Sequence, residues 1–413
     1  MVSHSNQTLL WTIVSLVTLV SRQLWSNQQT LNNWTSLLST MPEAFLPSTP
    51  TQEPVASNNI GPALKCLGYS SKNVVTDANK PIKYPDDPFD HYQAIHKRLE
   101  AWDLHHIPFH TNADYSGPWV ENVWAMHFQP SADSLNNTSF YNMFGPYIPL
   151  FIPWTDIWVQ KPFGKYPKAL YEGLKEVLRH DVIYITVSQN DDGLPGDTDL
   201  FQQLQNEYNI VIMSAGGYGH VPIPLLKQPE EVQAKIPMSK RTHLVSYVGG
   251  KFHAPNDMRR KMISIIGDDH YYKGKKWRSI MQDSKFSLCP RGFGRSSYHV
   301  METLQMGLIP IQVYVDGDIP WLPYQSTILK NISFSTSLEN LPTLITKLEQ
   351  MPDSQIEKME LAIERLIKNY FTFDGVMVQI QRFLLDYENS DLICHELPNS
   401  PGSNREKWFP PAK

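Results

Sequence analysis

The chain has 413 residues with 36 basic against 41 acidic side chains, a net charge of −5, so it lacks the basic excess of a protein that reads nucleic-acid phosphates. At about 150 residues per domain it is too long for one core and suggests two lobes with a tail, while 41% hydrophobic residues, with 11 Trp, 19 Tyr and 17 Phe, exclude disorder of the whole chain. Its three cysteines, Cys66, Cys289 and Cys394, form no C-x-x-C pair, which excludes a zinc ribbon or a disulfide-dense scaffold and leaves room for one internal bridge of open pairing.

Residues 9–20 (LLWTIVSLVTLV) form an apolar run too short to span a bilayer comfortably and of the length of a signal-peptide core or short anchor. No Lys or Arg precedes it, and Arg22 is the first basic residue, so the charge flanks do not favour an orientation. Residues 21–60 hold 24 Ser, Thr, Asn, Gln or Pro in 40 positions and only three charges, too little apolar material to fold alone. A hydrophobic segment (1–22, signal peptide or short signal-anchor), a flexible stalk (23–84) and a large globular region are the layout of a membrane-tethered enzyme of the secretory lumen. Sequons at Asn33, Asn136, Asn137 and Asn331 agree with that route, although such triplets also arise by chance.

From about residue 85 helix and strand signals alternate. Residues 166–178 place Leu170, Leu174 and Leu178 at helical intervals, and 181–187 (DVIYITV) is a β-branched strand. A helix at 200–208 and a strand at 209–213 follow. Two buried strands joined by a helix predict a parallel β-α-β unit with ligand loops at the carboxyl ends of the strands. Those loops are Ser188-Gln-Asn-Asp-Asp-Gly193 and Ser214-Ala-Gly-Gly-Tyr-Gly-His220. After a proline-spaced link at 221–238 come a strand at 244–248, helices at 257–266 and 277–281, a strand at 286–288, a helix at 296–306, a strand at 309–315, and helices at 337–350 and 354–387. The expected architecture is α/β, with two doubly wound, Rossmann-like lobes (85–238 and 239–370) facing a cleft and a C-terminal helix and tail (371–413) returning to the first lobe.

The stretch 286–310 carries the chemistry. A strand ends at Cys289, Pro290 stops its ladder, and Arg291-Gly-Phe-Gly-Arg295 turns into a helix capped by Ser296 or Ser297. Gly292 and Gly294 allow close approach of a ligand, the helix N-terminus attracts an anion, and Arg291 and Arg295 bring fork geometry suited to a diphosphate. Glu302, one and a half turns into the helix, is placed to reach ribose hydroxyls, a solvated carboxylate being its other reading. His299 puts a group that titrates near neutral pH on the same turn.

Cys289-Pro-Arg-Gly with Ser297, Glu302, Leu304, Gly307 and Ile309-Pro310 resembles the exostosin-type glycosyltransferases (family 47). The upstream stretch 241–249 and the Arg259-Arg260 helix resemble the segment that precedes this motif, and the passage from Ser214 to Pro224 more loosely resembles the end of the first lobe. The resemblance implies a two-lobed GT-B fold and inverting transfer of a hexosyl or pentosyl group from a nucleotide donor, usually uridine diphosphate, with Glu302 on the ribose and the 291–297 turn on the diphosphate. This chain departs from the family pattern at His299, where an arginine is common, and at Gly307-Leu-Ile-Pro.

An inverting transfer needs a base for the acceptor hydroxyl, for which Asp191, Asp192 and His220 of the first-lobe loops are the candidates, loop-capping or solvated positions being their alternative. Asp-x-Asp occurs at Asp197/Asp199 and Asp316/Asp318, an unremarkable number among 23 aspartates, so no metal site is assigned and no cofactor is expected beyond the nucleotide sugar, which is a substrate. His253, His270 and the pair His105-His106 lack metal-ligand spacing. Trp277, Trp321 and Tyr324 can stack on a base or sugar, or pack in the core. The expected partners are a nucleotide-sugar donor, a glycan or polysaccharide acceptor and a membrane through the N-terminal segment, with a homo- or heterodimer left open and no nucleic acid; the expected place is the Golgi or other secretory lumen as a single-pass type II protein, or a secreted form. A guanosine diphosphate (fucosyl-type) donor, or a catalytically inactive glycan-binding partner subunit, are the alternatives.

Overall fold

A computed structural model of the chain describes residues 60–68, 81–103, 111–112, 115–159, 166–191, 193–194, 199–227, 230, 235–252, 254–315 and 321–395. The N-terminal hydrophobic segment, most of the expected stalk and the sequon at Asn33 lie outside these residues. In the first half, helices α1 (Gly61–Cys66), α2 (Pro88–Arg98), α3 (Val120–Ala132) and α4 (Asn137–Phe144) precede strand β1 (Ile148–Pro149). Helices α5 (Trp154–Val159) and α6 (Lys168–Val177), strand β2 (Ile183–Ser188), helix α7 (Asp199–Glu207) and strands β3 (Asn209–Ser214) and β4 (Val221–Pro222) complete it. The four strands form one parallel sheet in the order β1-β2-β3-β4. Every residue of β2 and β3 is buried, as a parallel strand with both faces covered requires. Trp154 and Thr186 satisfy each other inside this layer: Trp154 Nε1 donates to Thr186 Oγ1 at 2.8 Å, and that hydroxyl donates to Leu150 O at 2.9 Å.

The second half contains β5 (His243–Val248), α8 (Met258–Ile266), β6 (Tyr271–Tyr272), α9 (Trp277–Gln282), β7 (Ser284–Pro290), α10 (Tyr298–Gln305), β8 (Ile309–Tyr314), β9 (Phe334–Ser337), and α11 (Leu341–Glu349), α12 (Asp353–Tyr370) and α13 (Phe373–Leu385). Its strands form a second parallel sheet in the order β9-β8-β7-β5-β6. Arg241, at the entry to β5, is held by Glu360 of α12 in a buried two-pronged pair at 2.6 and 3.1 Å. The α/β class with two parallel sheets is therefore the observed architecture.

Three boundaries differ from those read in the sequence. The stalk does not run to residue 84: α1 buries Ala63 and Leu64, and Ile82 and Tyr84 are also in the core. Residue 337 ends a strand rather than opening a helix, because β9 is short, polar at three of its four positions (FSTS), and carries little periodic signal. The expected helix over 354–387 is two helices, broken where Phe371 packs into the core and Thr372 caps α13, its Oγ1 accepting from Gly375 N at 3.1 Å. Helix α13 then packs on the first half: Phe383 stacks on Tyr147 with ring centres 6.2 Å apart, and Gly145 lies so close to Leu384 O that a Cβ there would stand 2.2 Å from it. The cysteine pairing left open in the sequence is Cys66 with Cys394, joining α1 to the C-terminal segment across 328 positions, while Cys289 is a buried free thiol that burial pushes up to about 12.

Candidate functional site

Strands β2 and β3 end in register at Ser188 and Ser214, and Ala215 N donates to Ser188 O at 3.0 Å, so the two glycine-containing loops leave the first sheet side by side. In the second sheet β7 stops at Pro290, after which Arg291 N still donates to Val313 O at 3.0 Å. The chain then doubles back, closed by Gly292 N donating to Ser296 O at 3.1 Å, and enters α10, where Ser297 is the cap and its Oγ accepts from His299 N at 3.3 Å. The cap expected at Ser296 or Ser297 is thus Ser297, and Ser296 is buried within the turn.

Arg291 does not present its fork outward. It is 3% exposed, and its Nε and Nη2 donate to Gly294 O at 3.1 Å and Phe293 O at 2.8 Å, so it moulds the turn from beneath. The role read for it as a direct diphosphate ligand gives way to one of positioning, because the guanidinium is the internal donor for carbonyls that the tight turn would otherwise leave unpaired. Arg259 of α8, not singled out for a role in the sequence, reinforces this from the other side: its Nε and Nη2 donate to Arg291 O and its Nη1 to Gly250 O. It therefore joins the loop after β5 to the loop after β7.

The first-half loops close directly on this turn. Ser296 N reaches Gly216 O at 3.4 Å, and Arg295 Nη1 donates to Gly217 O at 3.1 Å. A Cβ at Gly294 would stand 2.0 Å from Gly216 O and 2.5 Å from Asp191 Oδ1, and one at Gly217 would stand 2.4 Å from Arg295 N. The glycines therefore serve close approach of backbone to backbone, and Asp191 is brought to the 291–297 turn from the first-half loops. Gln189 adds a side-chain contact, donating from Nε2 to Tyr298 Oη at 2.7 Å.

Glu302 faces inward at 9% exposure. Its Oε2 stands 3.0 Å from His299 Nδ1, and its Oε1 pairs with Lys227 Nζ. Burial alone would raise this carboxyl, but the His299 hydrogen bond and the Lys227 charge outweigh it and hold the group down at about 2. The carboxylate is ionised at any physiological pH, and each oxygen retains a second lone pair for a ligand hydroxyl. His299 Nε2 is 3.2 Å from Ser287 Oγ, which fixes the ring. Trp277 stands beside this cluster, with Lys227 Nζ 6.0 Å from one ring centre and the Arg278 guanidinium 4.0 Å from it, Arg278 itself being paired with Glu230. Lys227 escaped the sequence reading because it sits in a proline-spaced link; its only signal was being the first cation after the first-lobe strands.

Of the three base candidates, Asp191 reaches the turn. Asp192 lies outside the described residues. His220 is corrected to a core histidine: it is 3% exposed, its Nδ1 accepts from Ile212 N at 3.0 Å, its own N–H donates to Ile212 O at 2.8 Å, and burial lowers its ring to about 4. With Nδ1 engaged as an acceptor, the neutral ring carries its proton on Nε2 and has no free lone pair for a substrate. Trp321 also packs, 1% exposed with Nε1 donating to Ser214 O at 2.9 Å. Asp197, the Asp199 side chain, Asp316, Asp318, His105, His106 and His253 lie outside the described residues.

Beneath the Gln189–Asp191 loop lies a buried carboxyl that the sequence did not single out. Glu121 of α3 accepts from Gln189 N at 2.9 Å and Thr155 Oγ1 at 3.0 Å, as well as from Thr155 N, and burial beside Asp156 pushes it up to about 8. Asp156 in turn accepts from Trp119 Nε1 and Asn122 Nδ2, both at 2.8 Å. This layer fixes the loop that carries Asp191.

No protein-family model matches the chain. A "Probable glycosyltransferase" of Arabidopsis thaliana is 27% identical over 100 residues, which cover 24% of this chain and 18% of the plant protein. The chain thus spans less than a fifth of that relative's length. Among solved structures, TarM is similar with a TM-score of 0.27 at 12% identity, over 54% of this chain and 47% of that one. The GtfA/B complex is similar with a TM-score of 0.26 at 14% identity, over 53% and 55%.

Proposed function

We propose that the chain is a glycosyltransferase that moves a sugar from a nucleotide-diphosphate donor to a glycan acceptor with inversion, uridine diphosphate being the donor nucleotide, as its resemblance to exostosin-type enzymes implies. The observation that carries the reading is Glu302: a buried carboxylate, held ionised by His299 and Lys227, one and a half turns into a capped helix that follows a glycine-arginine turn at the carboxyl edge of a parallel sheet. Such an edge is where doubly wound folds bind ligands, and the plant relative's name agrees with it.

In the reaction the acceptor oxygen forms a bond to the anomeric carbon, the bond from that carbon to the diphosphate oxygen breaks with its electron pair, and the acceptor proton passes to a base. Asp191 is the residue on the opposite face of the turn and takes the base role. Helix α10's N-terminus, with Arg295 beside it, favours the departing negative charge. Glu302 accepts from the ribose hydroxyls. The disulfide between Cys66 and Cys394 supports an oxidising, secretory-lumen location, with a type II anchor in the N-terminal segment; no helix among the described residues is long and apolar enough to cross a membrane. Titration calorimetry with uridine diphosphate and guanosine diphosphate tests the reading: binding of the former identifies the donor class, preference for the latter moves it to the fucosyl-type alternative, and binding of neither removes it.

A further inference from the structure

Asn136, Asn137 and Asn331 each open an Asn-x-Ser/Thr triplet among the described residues, and the fold uses their amides in three different ways. Sugar attached at such a triplet replaces one hydrogen of Nδ2 and leaves Oδ1 free to accept as before, so what matters is where the nitrogen is directed. Asn136 is exposed and is the N-cap of α4: its Oδ1 accepts from Ser139 N at 3.0 Å and its backbone N–H donates to Ser139 Oγ at 3.1 Å, while its Nδ2 makes no hydrogen bond. Asn331 is exposed at the end of the short turn Leu329–Asn331, and its Nδ2 has only a 3.5 Å approach to Thr327 O, at the limit of a hydrogen bond. Asn137 is half-buried and uses both ends of its amide inside the fold. Its Oδ1 accepts from Phe89 N at 2.8 Å, and its Nδ2 donates to Asp90 Oδ2 at 2.9 Å, which clasps α4 to the start of α2.

Asn331 is also placed away from the candidate site. Strand β9 runs parallel to β8, which pairs in parallel with β7, so the residue that precedes β9 stands at the amino edge of the second sheet, opposite the carboxyl edge where Pro290 leads into the 291–297 turn. Ile332, 1% exposed, anchors the turn beneath it. β9 is the outermost strand of its sheet, and Phe334 and Ser335 at its start are not buried. A bulky polar group at Asn331 therefore shields the start of an edge strand from pairing with another chain.

We propose that Asn136 and Asn331 carry N-linked glycans and that Asn137, in spite of its own triplet, does not; the inference rests on the secretory-lumen location proposed above and not on the transfer chemistry. In the modification Nδ2 forms a bond to the anomeric carbon of an oligosaccharide carried on a lipid diphosphate, the bond from that carbon to the diphosphate oxygen breaks with its electron pair, and Nδ2 gives up one proton. At Asn136 the product keeps the Oδ1 cap of α4 and directs the sugar from a nitrogen that the fold leaves unused. At Asn331 the only bond disturbed is the long one to Thr327 O. At Asn137 the nitrogen that would carry the sugar is the one that holds Asp90, so a glycan there stands against the start of α2 and parts the clasp.

The test produces the full chain in a eukaryotic secretory cell line and releases its N-glycans with an amidase in heavy-oxygen water, which turns each asparagine that carried sugar into a heavy-oxygen aspartate; peptide mass spectrometry then reads the three positions. Label at 136 and 331, with Asn137 unlabelled, is expected. Thr138→Ala removes the triplet of Asn136 but keeps Asn137-Ala-Ser139, and Ser333→Ala removes that of Asn331, so each variant is expected to lose one glycan in gel mobility. Absence of label at either 136 or 331, label at Asn137, or transfer of the glycan to Asn137 in Thr138→Ala overturns the proposal; should a variant fail to be secreted, the label on the unaltered chain decides alone. An unreduced digest of the same sample reports the bridge between Cys66 and Cys394. The bridge without label leaves the secretory location standing and removes the glycan sites, whereas absence of both removes the location as well. Calorimetry with uridine diphosphate tests the transferase reading independently of either result.

Discussion

Glu302 Oε2 and His299 Nδ1 stand 3.0 Å apart on one turn of helix α10, and Lys227, from the other side of the link, closes the second carboxylate oxygen. This three-group cluster makes the carboxylate an acceptor of fixed charge and fixed direction. Replacing Glu302 by Gln keeps its shape and removes its charge; donor affinity measured by calorimetry is expected to fall about tenfold or more. Glu302→Ala is expected to lose about 3 kcal/mol of stability in urea unfolding as well, because Lys227 is left without its partner in a mostly buried position. Equal affinity in both variants and the unaltered chain contradicts the assignment.

Gly294 separates Gly216 O from Asp191 at distances that leave no room for a methyl group. Gly294→Ala must therefore push the turn away from the first-half loops, and it is expected to cost about 2 to 4 kcal/mol and to abolish donor binding together with it. Gly68→Ala is the control, since a Cβ there meets nothing within 4 Å; its positive φ predicts a cost of only about 1 kcal/mol. Thermal unfolding of the two variants checks the contrast.

The buried titratable groups predict a stability maximum near pH 6.5. His91, buried against Tyr184, and His220 are both lowered to about 4 by burial, so their contributions are complete above about 6.5 and are lost as pH falls towards 4. Glu302, held at about 2 in the folded chain, adds a further loss below about 4.5. Glu121 has the opposite sign: pushed up to about 8, it contributes fully below about 4.5 and its contribution is lost as pH rises towards 8. Between 4.5 and 6.5 the histidines, His127 and His395 among them because burial lowers both, outweigh Glu121 and stability rises with pH, whereas above 6.5 Glu121 opposes them and stability falls. Urea midpoints across pH 4 to 8 measure this dome, and Glu121→Gln is expected to flatten its alkaline side.

Cys66 and Cys394 lie near the two ends of the described residues, and their loop encloses nearly all of them. Cys394→Ser is expected to lower stability by about 2 to 5 kcal/mol and to free the C-terminal segment from α1. Chemical denaturation with and without a reductant should show the same difference in the unaltered chain and none in the variant.

Much of the fold was legible because parallel strands buried on both faces leave continuous β-branched runs such as 183–188, and because glycines after such strands mark loops at a sheet edge. What the sequence concealed was long-range in origin. Nothing local to Arg291 distinguishes a fork aimed at a phosphate from one folded under its own turn. Nothing local to His220 reveals that its Nδ1 meets Ile212 N, and the pairing of Lys227 with Glu302 spans 75 positions. The break at Thr372 was signalled by Thr-Phe-Asp-Gly, a capping sequence overridden in the reading by the helical periodicity on both sides.

The most direct test of the account is the heat of uridine diphosphate binding to the disulfide-intact chain and to Glu302→Gln. Saturable binding by the unaltered chain, weakened about tenfold by the substitution, is the predicted result. No saturable binding of either uridine or guanosine diphosphate to the unaltered chain contradicts it.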